Sequence, residues 1–477
     1  MIAAQDVIER ALACASVDDT IVIVTDSSDA TLRWAGNSMT TNGIATSRRW
    51  EVVSIVRDST SARARSGAGG TTVRARSGAG GTTVRVGTVS STSVDPEGIE
   101  AVVRASEAAA RSAEPADDAM ALLPAGSAAD SQDWDRRAQH TSIDVFGSLA
   151  TELNVGFDGR DSLYGFAQHR VDNIWLGTST GLRRTFTQPT GSVEINGKRS
   201  GASAWVGTST TDFRDVTAES MLDELSTRLG WAQNTVEMPA GRYETLLPPS
   251  AVADLMIYLM WTMEGRGAQE GRTALSGPGG TRVGEKLTAL PLTLYSDPTE
   301  RGLEYAPFVV AGSSSDSVSV FDNGMNIERV DWVRDGAVSA LAYPRASAET
   351  YRTPVAVPGE NLVMAGGTGV GLDEMVASTE RGLLLTTLWY IREVDPTSLL
   401  LTGLTRDGVY AIENGRITGS VNNFRFNESP LDLLRRVTEA GRTEATLPRE
   451  WKDWFTRTAM PPLRVPDFHM SSVSAAQ

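Results

Sequence analysis

The most apolar stretch in this 477-residue chain is nine residues long, 255–263, and it lies between Asp254 and Glu264. A membrane-spanning helix needs about 20 apolar residues, so this stretch predicts a buried helix in a globular core. The signal Pro248-Pro249-Ser250 just before it predicts where that helix starts. A chain of this length exceeds one ordinary core, so two or three domains are expected. The opening residues carry Asp6 and Glu9 and no Lys or Arg before Arg10, which predicts no secretory signal.

Around that helix the chain reads as a mixture. Residues 2–15 predict a short amphipathic helix and 20–25 an apolar strand. From 47 to 94 the text is rich in Val, Thr and Gly and strand-like. It contains an exact tandem repeat, ARSGAGGTTVR, at 64–74 and 75–85. Gly-Gly pairs and Thr-Thr-Val runs make this a lengthened surface hairpin, although Arg63, Arg65, Arg74, Arg76 and Arg85 leave a basic arm as a second reading. Pro96 opens a helix to Ser112, with Ile99, Val102, Val103 and Ala110 on one face. Residues 114–133 read as a linker, 141–153 as a helix, 156–210 as strands, and 217–230 as an amphipathic helix. Beyond the apolar helix the text is β-rich to about 428, with a last helix near 430–439. The expected class is α+β: a layered α/β domain over 1–125, a middle α+β segment over 126–240 packing with it, and a β-rich, barrel- or sandwich-like domain over 241–477.

Composition narrows the chemistry. A net charge of −15 disfavours broad binding to nucleic acid, which requires a basic surface. The single cysteine, Cys14, excludes an intrachain disulfide and suits a reducing cytoplasm; it reads as a small apolar residue of the first helix. His140, His169 and His469 are the only histidines, and none has a second four or five residues away. No helical imidazole pair can form, so a zinc site of the usual kind is not expected in this chain. His469, near the C-terminus, reads as solvent-exposed. Residues 177–181 match G-x-S-x-G, but strand-like text follows where a nucleophile elbow needs a helix, so a hairpin turn is expected. The run Gly366-Gly367-Thr368-Gly369-Val370-Gly371 lacks the Lys and the spacing of a phosphate loop. Glu264 and Glu270 read as solvated acids at the exit of the apolar helix.

Four segments carry a resemblance. Residues 317–325 read SVSVFDNGM, containing Asp322 and Gly324. Residues 379–384 read TERGLL, with Glu380, Arg381 and Gly382. Residues 411–417 read AIENGRI, with Glu413, Asn414 and Gly415, and 284–287 read GEKL. In order and spacing these resemble the fDdeG, ERGlyv, lIEnGki and Gekv segments of the TldD/PmbA (TldE) family, and they read as structural motifs here. The resemblance spans most of the chain and is strongest over 240–430. It implies cytoplasmic peptidase subunits that process peptides, including microcin precursors and an antitoxin. The catalytic TldD type carries HExxxH at the end of the apolar helix and a cysteine near the C-terminus. This chain departs from both: Met263 and Ala268 stand at the two histidine positions, Glu264 alone keeps the glutamate, and 456–462, TRTAMPP, has no cysteine. The resemblance therefore implies a TldE/PmbA-like subunit without catalytic residues. It would carry no metal or cofactor itself and pair with a zinc-bearing TldD-type subunit as a heterodimer. Gly366, Gly367 and Gly369 are candidates for close approach of an extended or unfolded peptide substrate. The alternative is a non-enzymatic regulatory or binding protein acting without a protease partner; a self-contained peptidase with an unrecognised site is a third, minor option.

Overall fold

In a computed structural model, residues 2–59, 82–127 and 133–474 are described. All but the last four residues of the tandem repeat lie outside them, and with those the choice between hairpin and basic arm; Thr82–Arg85 begin a strand. The first half is built on one six-stranded antiparallel sheet in the order β3-β2-β1-β4-β5-β6. Its strands are β1 (Asp19–Ala35), β2 (Met39–Ser59), β3 (Thr82–Ser91), β4 (Ser162–Thr178), β5 (Arg183–Arg199) and β6 (Ala202–Thr210). Because β1 pairs with β4 from Ile21↔Thr178 to Ala35↔Tyr164, residues on both sides of position 126 share the sheet.

Packing explains why 20–25 does not alternate. Val22 and Val24 face helices α1 (Ala4–Cys14) and α2 (Pro96–Ser112), while Ile21 and Ile23 face Phe308, Val309 and Phe321 of the second half. A strand covered on both faces reads as a continuous apolar run. The strand also continues ten residues past the expected 25, into text whose alternation is polar-diluted. Ala30, Leu32 and Trp34 there face helices α3 (Gly147–Gly156) and α4 (Ala218–Trp231). The letters G-x-S-x-G form the turn between β4 and β5, with Gly181 N donating to Thr178 O at 3.1 Å.

The second half has a ten-stranded and a six-stranded sheet. Between them runs helix α5 (Pro249–Thr262), buried on nearly every side, as a helix apolar all round must be. One core cluster joins α5 to Leu294, Val333 and Leu362 of the smaller sheet and Leu383, Phe426 and Val465 of the larger. The α+β architecture thus holds. His469 does not lie on a loose tail: it sits in the strand Leu463–Val473, inside the larger sheet, where its N–H donates to the buried Glu428 carboxylate at 2.7 Å. Burial, with Arg242 and Arg436 nearby, pushes its imidazole pKa down.

Candidate functional site: a cleft between two sheet edges

A cleft of about 1120 Å³ lies where the two halves meet. Its lining includes the half-buried Trp231 of α4 and Ile417, with Trp205 of β6 and Leu384 buried behind them. Its rim carries Arg228, Arg416 and Arg442 with four carboxylates. Two of the three arginines are already neutralised: Arg228 pairs with Glu224 one helical turn away, and Arg442 with Glu444 at 2.9 Å. Arg228 also donates to Trp205 O at 2.5 Å, which ties α4 to the edge of β6.

Several motif residues serve to build this cleft's wall. Asn414 and Gly415, at φ 51° and 75°, form the two-residue turn between the strands Val409–Glu413 and Arg416–Val421. Two positive φ values are what a tight hairpin with the right twist requires. The N–H groups of that turn donate to Glu380 O at 2.6 Å and Thr379 O at 2.8 Å. This is why the segments 379–384 and 411–417 occur together: one supplies the carbonyls that hold the other's turn. Arg381 and Glu413 are register partners on exposed positions of their paired strands. Gly382 is packed so that a Cβ would stand 2.8 Å from Glu244 O. Arg464, which no sequence pattern flagged, binds Glu244 at 2.9 Å, Glu439 at 2.7 Å and Thr379 at 2.6 Å, holding the same segment. Asp322 is buried and accepts from Arg345 Nε at 2.6 Å and Arg345 N at 3.0 Å. Gly324 N donates to Val309 O, and a Cβ there would meet Leu182 of the β4–β5 turn.

The glycine run 366–371 approaches backbone closely, but the backbone is the chain's own. A Cβ on Gly366 would stand 2.0 Å from Pro291 O, and one on Gly367 2.1 Å from Gly441 O. Only Gly369 of the three has open space around it. Gly371 and Gly415 line the cleft. The cleft's other lining residues, Trp205, Trp231 and Arg228 among them, escaped sequence reasoning because they come from separate segments with no shared motif.

The far end of α5 is set apart from the cleft, because only the first residues of the helix, Pro249 and Ser250, line it. Met263 and Ala268, just past that end, are fully buried, and Met263 belongs to the main core. Glu264 keeps a Ser317 Oγ donor at 3.5 Å; burial first, then Asp316, raises its carboxyl pKa. Around it Arg266 binds Glu270 at 3.0 Å, and Arg272 binds Glu270 and Asp316 at 3.0 and 2.8 Å. A thioether and a methyl in the core, beside two guanidinium cations, do not fit a zinc ion, which requires about three N, S or O ligands from the protein. Among the described residues, no three His, Cys, Asp or Glu side chains come together so as to hold a metal. His169 uses both ring nitrogens, against Thr141 Oγ1 at 2.6 Å and Thr211 O at 2.8 Å, and is structural. The arrangement is a wide cleft with strand edges and acidic and basic groups on its rim.

Comparison with known proteins gives a consistent assignment. Residues 240–472 match the family model described as the PmbA/TldA metallopeptidase C-terminal domain. The whole fold is similar to the crystal structure of TldE from Thermococcus kodakarensis, with a TM-score of 0.76 and 16% identity over 98% of this chain and 99% of that one. It is also similar to proteins described as candidate modulators of DNA gyrase. The one from Thermotoga maritima has a TM-score of 0.71 and 13% identity, over 98% of this chain and all of that one. The one from Bacteroides thetaiotaomicron has 0.72 and 16%, over 98% of each chain. No curated protein matches the chain significantly. Over residues 240–472 this chain belongs to the TldD/PmbA/TldE family, and along nearly its whole length it shares the fold of these solved structures.

Proposed function

We propose that this chain is the metal-free subunit of a heterodimeric zinc peptidase, pairing in the cytoplasm with a TldD-type subunit and helping to hold the peptide that the partner cleaves. The observation that carries this reading is the end of α5: both ligand positions of the family's metal motif are held by residues buried in the core, Met263 and Ala268. The retained Glu264, with no metal-bound water to activate, accepts from Ser317 and lies near the Arg272 ion pairs with Glu270 and Asp316. Zinc and the hydrolytic step would therefore belong to the other subunit.

A surface suited to pairing lies next to that point. Tyr258, Trp261 and Trp451 stack edge to face at centroid distances of 4.9–5.6 Å, with Trp261 43% exposed. Trp454, on the same turn as Trp451, is 81% exposed. Exposed tryptophans of this kind are typical centres of obligate interfaces, which commonly bury more than about 2,000 Å². Co-expression with a TldD-type subunit and metal analysis of the complex and of each chain tests the proposal. We expect about one zinc per heterodimer, all on the partner; zinc retained by this chain in isolation refutes it. The second reading, a regulator acting without a protease, draws on the description of the Thermotoga and Bacteroides proteins as gyrase modulators. Stable monomeric behaviour together with affinity for a topoisomerase would favour it.

A further inference from the structure

We infer that the free edge of β6, at Gly207 in the wall of the 1120 Å³ cleft, is a strand-pairing site for an extended peptide segment. This rests on the peptide-binding part of the reading above and says where on this chain, and by which groups, a peptide is held.

Three observations converge. Among the described residues β6 closes its sheet, with β5 on one side and no strand on the other. Trp205 O points to the open side, since it accepts from Arg228 of α4. In an antiparallel strand the N–H and C=O of one residue share an edge and alternate along the chain, so Gly207 presents both of its main-chain groups to the same open side. Gly207 is also bare for a reason: a Cβ there would stand 2.4 Å from the Trp205 ring and 3.2 Å from Leu447. The tryptophan ring and Leu447 fill the place where a side chain at 207 would stand. Across the cleft stands a second terminal strand, Glu444–Thr446, the edge of the smaller sheet. The two strands are in contact, and Ser209 Oγ donates to Thr446 O at 3.4 Å.

The lining selects the class of ligand. The cleft, at about 1120 Å³, is large. Small-molecule pockets are smaller, typically a few hundred cubic ångströms and seldom above a thousand. Two of its three rim arginines, Arg228 and Arg442, are paired with carboxylates, and Asp373 and Glu374 stand on the rim with Arg416, so the groove does not call for an anion. Unpaired main-chain groups of β6 in a cleft lined also by the half-buried Trp231 and Ile417 suit an extended chain that adds as a strand and buries alternate side chains. Affinity from main-chain bonds is tolerant of sequence, which suits a subunit that serves peptide processing.

The test uses the full chain alone and a fluorescein-labelled, unstructured 12-residue peptide of Ala, Leu, Ser and Thr. Binding is followed by anisotropy. Thr227→Trp and Ala445→Trp add bulk at exposed positions on opposite walls of the cleft, so neither disturbs the core. Each should weaken binding at least tenfold while circular dichroism and Tm stay those of the wild type. A set of peptides N-methylated at one position each should lose affinity at every second position, the signature of one paired strand edge. Absence of saturable binding by the wild type, unchanged binding by both tryptophan variants, or a methylation profile without period two overturns the inference. If the heterodimer forms with its zinc on the partner but these results fail, the subunit reading stands and the location is wrong. If the peptide results hold and no heterodimer forms, the site stands and the subunit reading falls.

Discussion

Asp254 is a carboxylate inside the apolar helix α5, fully buried. Its Oδ1 accepts from Glu450 N at 2.9 Å and Trp451 N at 3.4 Å, and its Oδ2 from Arg449 N at 3.3 Å. It thereby caps the turn that carries Trp451 and Trp454 and fastens that turn to the core. Asp254→Ala removes the acceptor from three N–H groups. A stranded buried donor costs about 1–3 kcal/mol, and one short plus two long bonds bring the expected loss to about 3 kcal/mol. For a unit of roughly 150–250 residues that corresponds to a fall in Tm of about 6–12 °C. The ionisation of Asp254 sharpens the test. Burial raises its pKa well above the ordinary 3.8, outweighing the three N–H bonds that act the other way. An acid whose pKa is higher folded than unfolded binds its proton more tightly in the folded state. Its stabilising contribution is full below the unfolded pKa and is lost as pH rises toward the folded value, by at most about 1.4 kcal/mol per pH unit. Asp254→Asn, which mimics the neutral acid, should therefore gain on the wild type as pH is raised from about 4. Differential scanning fluorimetry of wild type, Asn and Ala variants across roughly pH 4–9 measures both effects. A Tm for the Ala variant within about 2 °C of the wild type, equivalent to less than about 1 kcal/mol, or an Asn variant that parallels the wild type at every pH, refutes the reasoning.

Gly415→Ala places a Cβ 2.4 Å from Ala377 O at a residue with φ 75°. A loss of about 1–3 kcal/mol is expected, read as a lower denaturant midpoint. Gly367→Val should also destabilise the chain, because its Cβ meets Gly441 O at 2.1 Å; Gly369→Val should leave Tm unchanged and lower peptide cleavage by the complex only if the loop touches peptide, and unchanged turnover removes it from the site. Trp454 is 81% exposed, so its truncation removes little packing. Trp454→Ala should therefore change stability by less than about 0.5 kcal/mol. It should weaken co-purification with a TldD-type subunit, and full retention of the complex would exclude Trp454 from the interface.

Much of the fold was legible because it depends on local chemistry. Pro96 and the stripe Ile99, Val103 and Ala110 place α2, and the apolar stretch 255–263 places a buried helix, whatever surrounds them. The absence of a histidine pair is likewise a property of the chain alone. The length of β1 was not legible, because residues 26–35 are buried by partners more than 100 positions away in β4, α3 and α4. His469 looked terminal by number and proved to be held in a strand by the carboxylate of Glu428. The order of the motifs marked the family, but their physical reason, a turn at Asn414-Gly415 bonded to the carbonyls of 379 and 380, exists only once the two strands pair. The glycines at 366 and 367 show the same division. The chain declares that something must come close to them, and only the tertiary structure says that it is Pro291 and Gly441. The cleft itself was invisible beforehand, since its walls come from segments that chain order separates and packing alone brings face to face.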